Sequence, residues 1–130
     1  MNTDRLPVAA ALAVLVGLHA AAFACGACDE DKIAATYDHA VATQARVEHR
    51  SMVYGAIEGP VDAREAAARV GRLAAHTQGI RSSTVRVSAE PGAFSFVADR
   101  GKGSPEATVA ELQRRVAMRG LKLSVVRVVR

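Results

Sequence analysis

The sequence predicts an α+β fold with four antiparallel strands in one sheet, two helices on one face of that sheet, and one extra helix before it. Three observations predict this architecture. Four stretches are rich in alternating apolar or β-branched residues, which is typical of strands. Two stretches between them repeat apolar residues every three or four positions, which is typical of helices with one buried face. Turn residues such as Gly59-Pro60 and Pro91-Gly92 separate the elements.

The extra helix is predicted over residues 29–46. Apolar or aromatic residues recur there at intervals of four, which places them on one stripe of a helix: Ile33, Tyr37 and Val41. The consecutive acids at 29–31 would occupy the first turn, where negative charge interacts favourably with the helix dipole. Cys28 is therefore expected at or just before the N-terminus of this helix.

The first strand and the first helix of the sheet domain are predicted between residues 51 and 79. The stretch SMVYGAIEG, residues 51–59, combines β-branched and aromatic residues and ends in a Gly-Pro turn. Asp62 is a suitable N-cap for the helix that follows, and Gly79 is a suitable stop. The apolar face of this helix comprises Ala66, Val70, Leu73 and Ala74.

A hairpin is predicted next in the chain. In STVRVSA, residues 83–89, alternation places Val85 and Val87 on one face of a strand. After a Pro-Gly turn follows AFSFVAD, residues 93–99, in which the same alternation places Phe94 and Phe96 on one face of the partner strand.

A second helix and a last strand complete the sheet domain. Ser104 is a suitable N-cap, Pro105 suits the first helical position, and Glu106 adds an acid to the first turn. Gly120 is expected to end this helix, and residues 121–130, LKLSVVRVVR, predict the last strand. The apolar stripe of the helix comprises Val109, Leu112 and Val116. The resulting order, strand-helix-strand-strand-helix-strand, is the split β-α-β arrangement of a ferredoxin-like sandwich.

Residues 1–24 predict a secretory signal peptide. Residues 6–24, LPVAAALAVLVGLHAAAFA, carry no charge and follow Arg5. The triplet Ala22-Phe23-Ala24 is a small-x-small cleavage site. The run is close to the roughly 20 residues that a membrane span needs, so an uncleaved anchor is the weaker alternative. Cleavage near Ala24 would place the mature chain in the periplasm or outside the cell, where disulfides persist.

The charge of the chain and the motifs in its sequence argue against several classes of function. The 130-residue chain has a net charge of +4, but its arginines are scattered, so a nucleic-acid partner is not indicated. The sequence contains neither a serine-hydrolase nucleophile motif nor a phosphate-cradling glycine loop. A thioredoxin-like enzyme would carry its Cys-x-x-Cys after a strand, and this one follows the signal peptide. We therefore expect no enzymatic activity.

Residues 79–123 resemble the second half of a heavy-metal-associated domain, a family of small copper-chaperone-like modules. Five features stand in the order of that family: Gly79-Ile80, Val85-Arg86-Val87, Phe94-Ser95-Phe96, Asp99 and Ser104-Pro105-Glu106. The resemblance implies the ferredoxin-like fold. The family carries its metal on a Cys-x-x-Cys between the first strand and the first helix, and this loop, residues 58–62, has no thiol here. The resemblance therefore implies no metal ligands in this loop.

The two cysteines of the chain, Cys25 and Cys28, form a Cys-x-x-Cys within CGACDED, residues 25–31. Two thiolates at this spacing can chelate a soft ion such as Cu(I) or Zn(II), and a free amine on Cys25 would add a third ligand. A structural zinc site needs four ligands, so copper fits better. The alternatives are a local disulfide without a ligand role, a redox dithiol, and lipidation of Cys25.

The histidines are not expected to complete a metal site. His39 is eleven residues after Cys28, which on a continuous helix is about 16 Å along the axis. It also lies opposite the apolar stripe, so an exposed side chain is expected. His49 and His76 belong to separate predicted elements.

The sequence thus predicts a signal peptide at 1–24, a Cys-x-x-Cys segment with a helix at 25–48, and a ferredoxin-like domain of heavy-metal-associated type at 49–130. The predicted function is an exported, non-enzymatic metal-handling protein that binds copper or another soft ion through Cys25 and Cys28. One alternative is a metal-free interaction or scaffold module, whose open sheet face binds a partner protein or a second copy. Another is a periplasmic dithiol redox protein. A membrane role is expected only if Cys25 is lipidated or the signal is retained.

Overall fold

The computed structural model describes residues 26–130 and shows an α+β fold, with four α-helices and one four-stranded antiparallel sheet in this part of the chain. The elements are α1 (Gly26–Thr36), α2 (His39–Val47), β1 (Met52–Glu58), α3 (Ala63–Ala74), β2 (Arg86–Ser88), β3 (Ala93–Val97), α4 (Pro105–Val116) and β4 (Lys122–Val129). The strand order across the sheet is β2-β3-β1-β4. The predicted signal peptide lies outside the described residues.

Strand β1 lies inside the sheet and pairs with β3 on one side and β4 on the other. Val53 stands opposite Phe96, and Gly55 stands opposite Phe94. Because successive side chains of a strand point to opposite faces, these residues share one face of the sheet. Met52, Tyr54 and their neighbours on β3 belong to the other face.

Helices α3 and α4 cover the face that carries Val53, Phe94 and Phe96, which we call the α3/α4 face. The predicted apolar stripes are buried there, apart from the half-buried Leu73: Ala66, Val70 and Ala74 from α3, and Val109, Leu112 and Val116 from α4. Both predicted N-caps are confirmed. Asp62 Oδ1 accepts a hydrogen bond from the Glu65 N–H at 2.8 Å, and Ser104 Oγ accepts one from the Ala107 N–H at 3.1 Å.

The ring of Phe94 lies directly over Gly55. A Cβ added at Gly55 would be 2.1 Å from Phe94 Cζ, so the ring occupies the space that a side chain would need. Phe94 also stacks on Phe96, with ring centroids 6.2 Å apart and an interplanar angle of 4°. The missing side chain of Gly55 is therefore part of the packing of this face.

The opposite face of the sheet, which the sequence predicted to be open, is covered by α1 and α2, and we call it the α1/α2 face. Met52, Tyr54, Val97 and Ala45 form a second buried cluster, against which Ile33 and Val41 pack. The two helices predicted to share one face do so, but the open face of the interaction-module alternative is not found. All of β3 and the first five residues of β1 are buried, as in strands that are covered on both faces.

The predicted single helix over residues 29–46 is two helices with a break at Tyr37-Asp38. Asp38 has an extended backbone with φ −123°, and its Oδ1 accepts a hydrogen bond from the Val41 N–H at 3.1 Å. It is therefore the N-cap of α2. Tyr37, which the predicted stripe included, is 52% exposed as a result.

Helices α3 and α4 end earlier than their predicted stop residues. Helix α3 ends at Ala74 and α4 at Val116, several residues before the glycines that were expected to end them. Gly79 and Gly120 have φ values of +90° and +80°, so they form turns in the loops that follow the helices.

Candidate functional site

The Cys-x-x-Cys lies at the boundary of the described residues. Cys25 is outside them, and Cys28 belongs to the first turn of α1. The prediction that Cys28 lies at a helix N-terminus agrees with the start of α1 at Gly26. The position of Cys28 therefore depends on how α1 is held.

Helix α1 is attached to the sheet along its length. Near its start, Glu30 forms an ion pair with Arg127 of β4. One half-turn later, Lys32 Nζ is 3.2 Å from Glu58 Oε1 at the end of β1. At its C-terminus the buried Ser95 Oγ donates a hydrogen bond to the Thr36 carbonyl at 2.9 Å. These contacts, together with the apolar packing of Ile33, fix the helix over strands β4, β1 and β3.

Helix α2 is held by charged residues at both ends. At its N-terminus, Arg86 Nη2 of β2 is 2.8 Å from Asp38 Oδ2. At its C-terminus, Glu48 accepts hydrogen bonds from Gln44, Arg81 and Arg50 at 2.8–2.9 Å. The Gln44 amide, followed by the Arg81 guanidinium, lowers the pKa of Glu48 below its ordinary value of 4.5. The Val41 N–H, followed by Arg86, lowers the pKa of Asp38 below its ordinary value of 3.8.

Acidification is expected to destabilise the attachment of α2. Because the pKa values of Asp38 and Glu48 are lower in the folded protein, the unfolded chain binds more protons at acidic pH. Their stabilisation is complete above the ordinary values of 3.8 and 4.5 and is lost as the pH falls through the lowered ones. Thermal unfolding followed by circular dichroism should show a fall in Tm below about pH 4.5.

The variant Asp38→Asn should reduce the dependence of Tm on pH while retaining an N-cap, since asparagine caps helices as well as aspartate does. The matched control is Glu90→Gln, which removes an exposed carboxylate that lies outside the helices and forms no ion pair among the described contacts. It should leave the pH dependence unchanged. Parallel curves of Tm against pH for the wild type and Asp38→Asn would contradict the role assigned to Asp38.

The β1–α3 loop, residues 58–62, is the position at which heavy-metal-associated domains carry their metal. Gly59 has φ +130°, and an added Cβ would lie 2.0 Å from the Gly120 carbonyl oxygen, so the loop is closed against the α4–β4 turn. A small cavity of about 190 Å³ lies beside it, and Glu58 is its only acidic lining residue. Asp62 is engaged in capping α3. The loop offers no soft ligand set.

The histidines of the described region are exposed and separate. His39 Nδ1 is 3.3 Å from the hydroxyl of Tyr37, and its exposure agrees with the sequence prediction. His49 precedes β1, and His76 follows α3. Among residues 26–130, no group of three His, Cys, Asp or Glu side chains is placed to hold a metal ion.

A basic cleft between α3 and α4 was not predicted from the sequence. It has a volume of about 410 Å³ and is lined by Arg69, Arg72, Leu73, His76 and Arg115. Arg72 and Leu73 lie three and four positions after Arg69, which places these three residues on one face of α3, and His76 lies in the turn that follows the helix. That spacing was visible in the sequence. The contribution of Arg115 was not, because it depends on the packing of α4 beside α3.

A second basic cleft, of about 350 Å³, is lined by Arg46, His49, Arg50, Ser51 and the C-terminal Arg130. Like the α3/α4 cleft, it has one arginine that is paired with acids. Arg50 pairs with Glu48 at 2.9 Å and with Asp99 at 3.5 Å. In the α3/α4 cleft the paired arginine is Arg115, whose Nε is 3.9 Å from Glu111 Oε1.

No family model matches the sequence, and no curated protein matches it either. None of the helices in the described part of the chain is long and apolar enough to cross a membrane.

Proposed function

We propose that the mature chain is an exported, non-enzymatic protein that binds a soft metal ion, copper in the first place, through the thiolates of Cys25 and Cys28. The attachment of α1 to the sheet is the observation that carries this proposal. Cys28 belongs to the first turn of a helix that is fastened through Glu30, Lys32 and Thr36. A ligand residue in the first turn of such a helix, as Cys28 is, is better positioned than one on a free tail.

The charges near the start of α1 support the same role. A helix N-terminus stabilises a thiolate, whereas neighbouring carboxylates oppose it. Arg127 balances the charge of Glu30, which reduces that opposition. Cu(I) prefers soft ligands in low coordination numbers, so two thiolates and the free amine of Cys25 form a suitable set.

We also assign the sheet domain to the ferredoxin-like fold. The strand order β2-β3-β1-β4 supports this assignment, as do the positions of α3 between β1 and β2 and of α4 between β3 and β4. In this proposal the chain is a relative of the heavy-metal-associated domains in which the ligands are on the preceding helix. Lys32, one turn after Cys28, pairs with Glu58 at the start of the family's metal loop.

Export through a signal peptide cleaved near Ala24 belongs to the same proposal, since cleavage there would free the amine of Cys25. Native mass spectrometry of the mature protein, purified from the periplasm under reducing, anaerobic conditions, tests both parts. We expect a mass that begins at Cys25, without lipid, and one Cu(I) ion bound per chain. The variant Cys25→Ser/Cys28→Ser should bind no copper.

The matched control is His39→Ala, which removes an exposed soft-metal ligand outside the proposed set. It should retain the copper. Two outcomes would contradict the proposal: a protein that takes up no metal and forms only an intramolecular disulfide in air, or one whose copper survives the double serine substitution. The first would favour the disulfide-bearing interaction module or a dithiol redox role.

A further inference from the structure

We propose that the cleft between α3 and α4 binds a small molecule through its phosphate group. This site is distinct from the cysteine pair and does not depend on the metal-binding proposal. The cleft volume of about 410 Å³ lies within the roughly 300–1,000 Å³ of small-molecule sites. Three guanidinium groups, one imidazole and one leucine line it.

The positive charge of this cleft is available to a ligand. Arg69 and Arg72 form neither an ion pair nor a side-chain hydrogen bond with any residue of the described part of the chain. No carboxylate lines the cleft. The nearest acid on α4, Glu111, pairs with Arg114 and is 3.9 Å from Arg115 Nε. Two uncompensated arginines in one concave surface attract an anion.

Arg115, which lines the cleft from α4, is held in position by hydrogen bonds to the end of α3. Its Nη1 donates hydrogen bonds to the His76 carbonyl at 2.8 Å and to Thr77 Oγ1 at 3.3 Å. These bonds fasten the guanidinium across the C-terminal end of α3, while its other N–H groups remain for a ligand, since arginine has five donors. A donor that is already ordered loses less conformational entropy when the ligand binds.

Phosphate is the anion that suits these groups best. Guanidinium groups bind the oxygens of a phosphate in pairs, and several of them match its double negative charge. Leu73 gives the cleft an apolar wall for the remainder of the ligand. No aromatic side chain lines the cleft, so the stacking by which single-stranded nucleic acids are held is missing there.

Isothermal titration calorimetry with inorganic pyrophosphate at low salt tests the proposal. The wild type should bind it, and Arg69→Gln/Arg72→Gln should weaken binding by about tenfold or more, since each lost hydrogen bond to a charged group reduces affinity substantially. The matched control Arg64→Gln/Arg119→Gln also removes two positive charges, but from exposed positions outside the cleft. This control should change the affinity for pyrophosphate by less than about threefold, because charges outside the cleft act on the ligand only through long-range attraction, which salt screens.

Absence of pyrophosphate binding by the wild type would overturn the proposal, and so would equal weakening by the two double variants. Both double variants should have the circular dichroism spectrum and the Tm of the wild type, which checks that they are folded.

The phosphate of the natural ligand could belong to a soluble molecule or to a lipid headgroup. Binding to vesicles that contain phosphatidic acid, but not to pure phosphatidylcholine vesicles, would assign it to a headgroup. Binding of pyrophosphate without vesicle binding would assign it to a soluble phosphoester.

Discussion

Replacement of Gly55 by alanine is expected to destabilise the protein by about 3 kcal/mol, the upper part of the usual range for overpacking. The added methyl group would lie 2.1–2.6 Å from three atoms of the Phe94 ring. That ring is fully buried and stacked on Phe96, so it cannot move aside without opening the α3/α4 face. Equilibrium unfolding in urea, followed by circular dichroism, measures the effect.

Gly71→Ala is the matched control for this substitution. Its added methyl group would meet only one methyl of the half-buried Val87, with Cγ2 at 3.3 Å, which a shift of a few tenths of an ångström would relieve, and alanine favours the helix. We expect a change in stability smaller than about 1 kcal/mol. The double variant Gly55→Ala/Phe94→Leu should be less destabilised than the sum of its two single variants, because the smaller leucine leaves room for the methyl group. Additive effects would show that the ring and the glycine do not interact.

The second large effect is expected from Ala45→Asp, with a loss of about 4 kcal/mol. Ala45 is 2% exposed and lies in the cluster that joins α2 to Met52, Tyr54 and Val97. A carboxylate at this position would be buried among the apolar side chains of that cluster, and burial of a charge in apolar surroundings is among the most destabilising changes in a protein. The helix α2 should detach from the sheet.

Hydrogen exchange followed by mass spectrometry, together with thermal unfolding, distinguishes detachment from general unfolding. Protection should be lost over residues 26–48 at lower denaturant than over β1, β3 and α4. The control Val47→Asp introduces the same carboxylate on the same helix at a position that is 71% exposed. It should lower stability by less than about 1 kcal/mol, which is the penalty of an acid near a helix C-terminus. Equal losses for both substitutions would show that α2 is not held through Ala45.

The sheet domain was the predictable part of the fold because its signals are local. The caps at Asp62 and Ser104, the stripes of α3 and α4, and the pair Phe94 and Phe96 each depend on residues a few positions apart. The packing of α1 and α2 on the α1/α2 face was not predictable from such local signals. It depends on Ser95, a polar residue that is buried because its hydroxyl binds the Thr36 carbonyl far away in sequence.

The break between α1 and α2 could have been found from the sequence. Asp38 is a residue type favoured at N-caps, and it precedes residues suited to a helix. The four-residue spacing that includes Tyr37 concealed it. Of the two basic clefts, the α3/α4 cleft has lining residues on α3 whose helical spacing is visible in the sequence, but Arg115, which also lines it, comes from another helix. For Cys25 and Cys28 the sequence remains the basis of the prediction.

The contacts of α1 with the sheet also determine when this helix can dock during synthesis of the chain. Glu30 and Arg127 are 97 positions apart, and Thr36 and Ser95 are 59 apart. A chain made from its N-terminus therefore produces α1 and α2 long before the strands that receive them. Contacts between such distant residues form slowly, because a long loop must close before they stabilise it. The two helices are expected to remain without their complete docking surface until β4 has been synthesised, so the segment with Cys28 reaches its fixed position only after that strand is available.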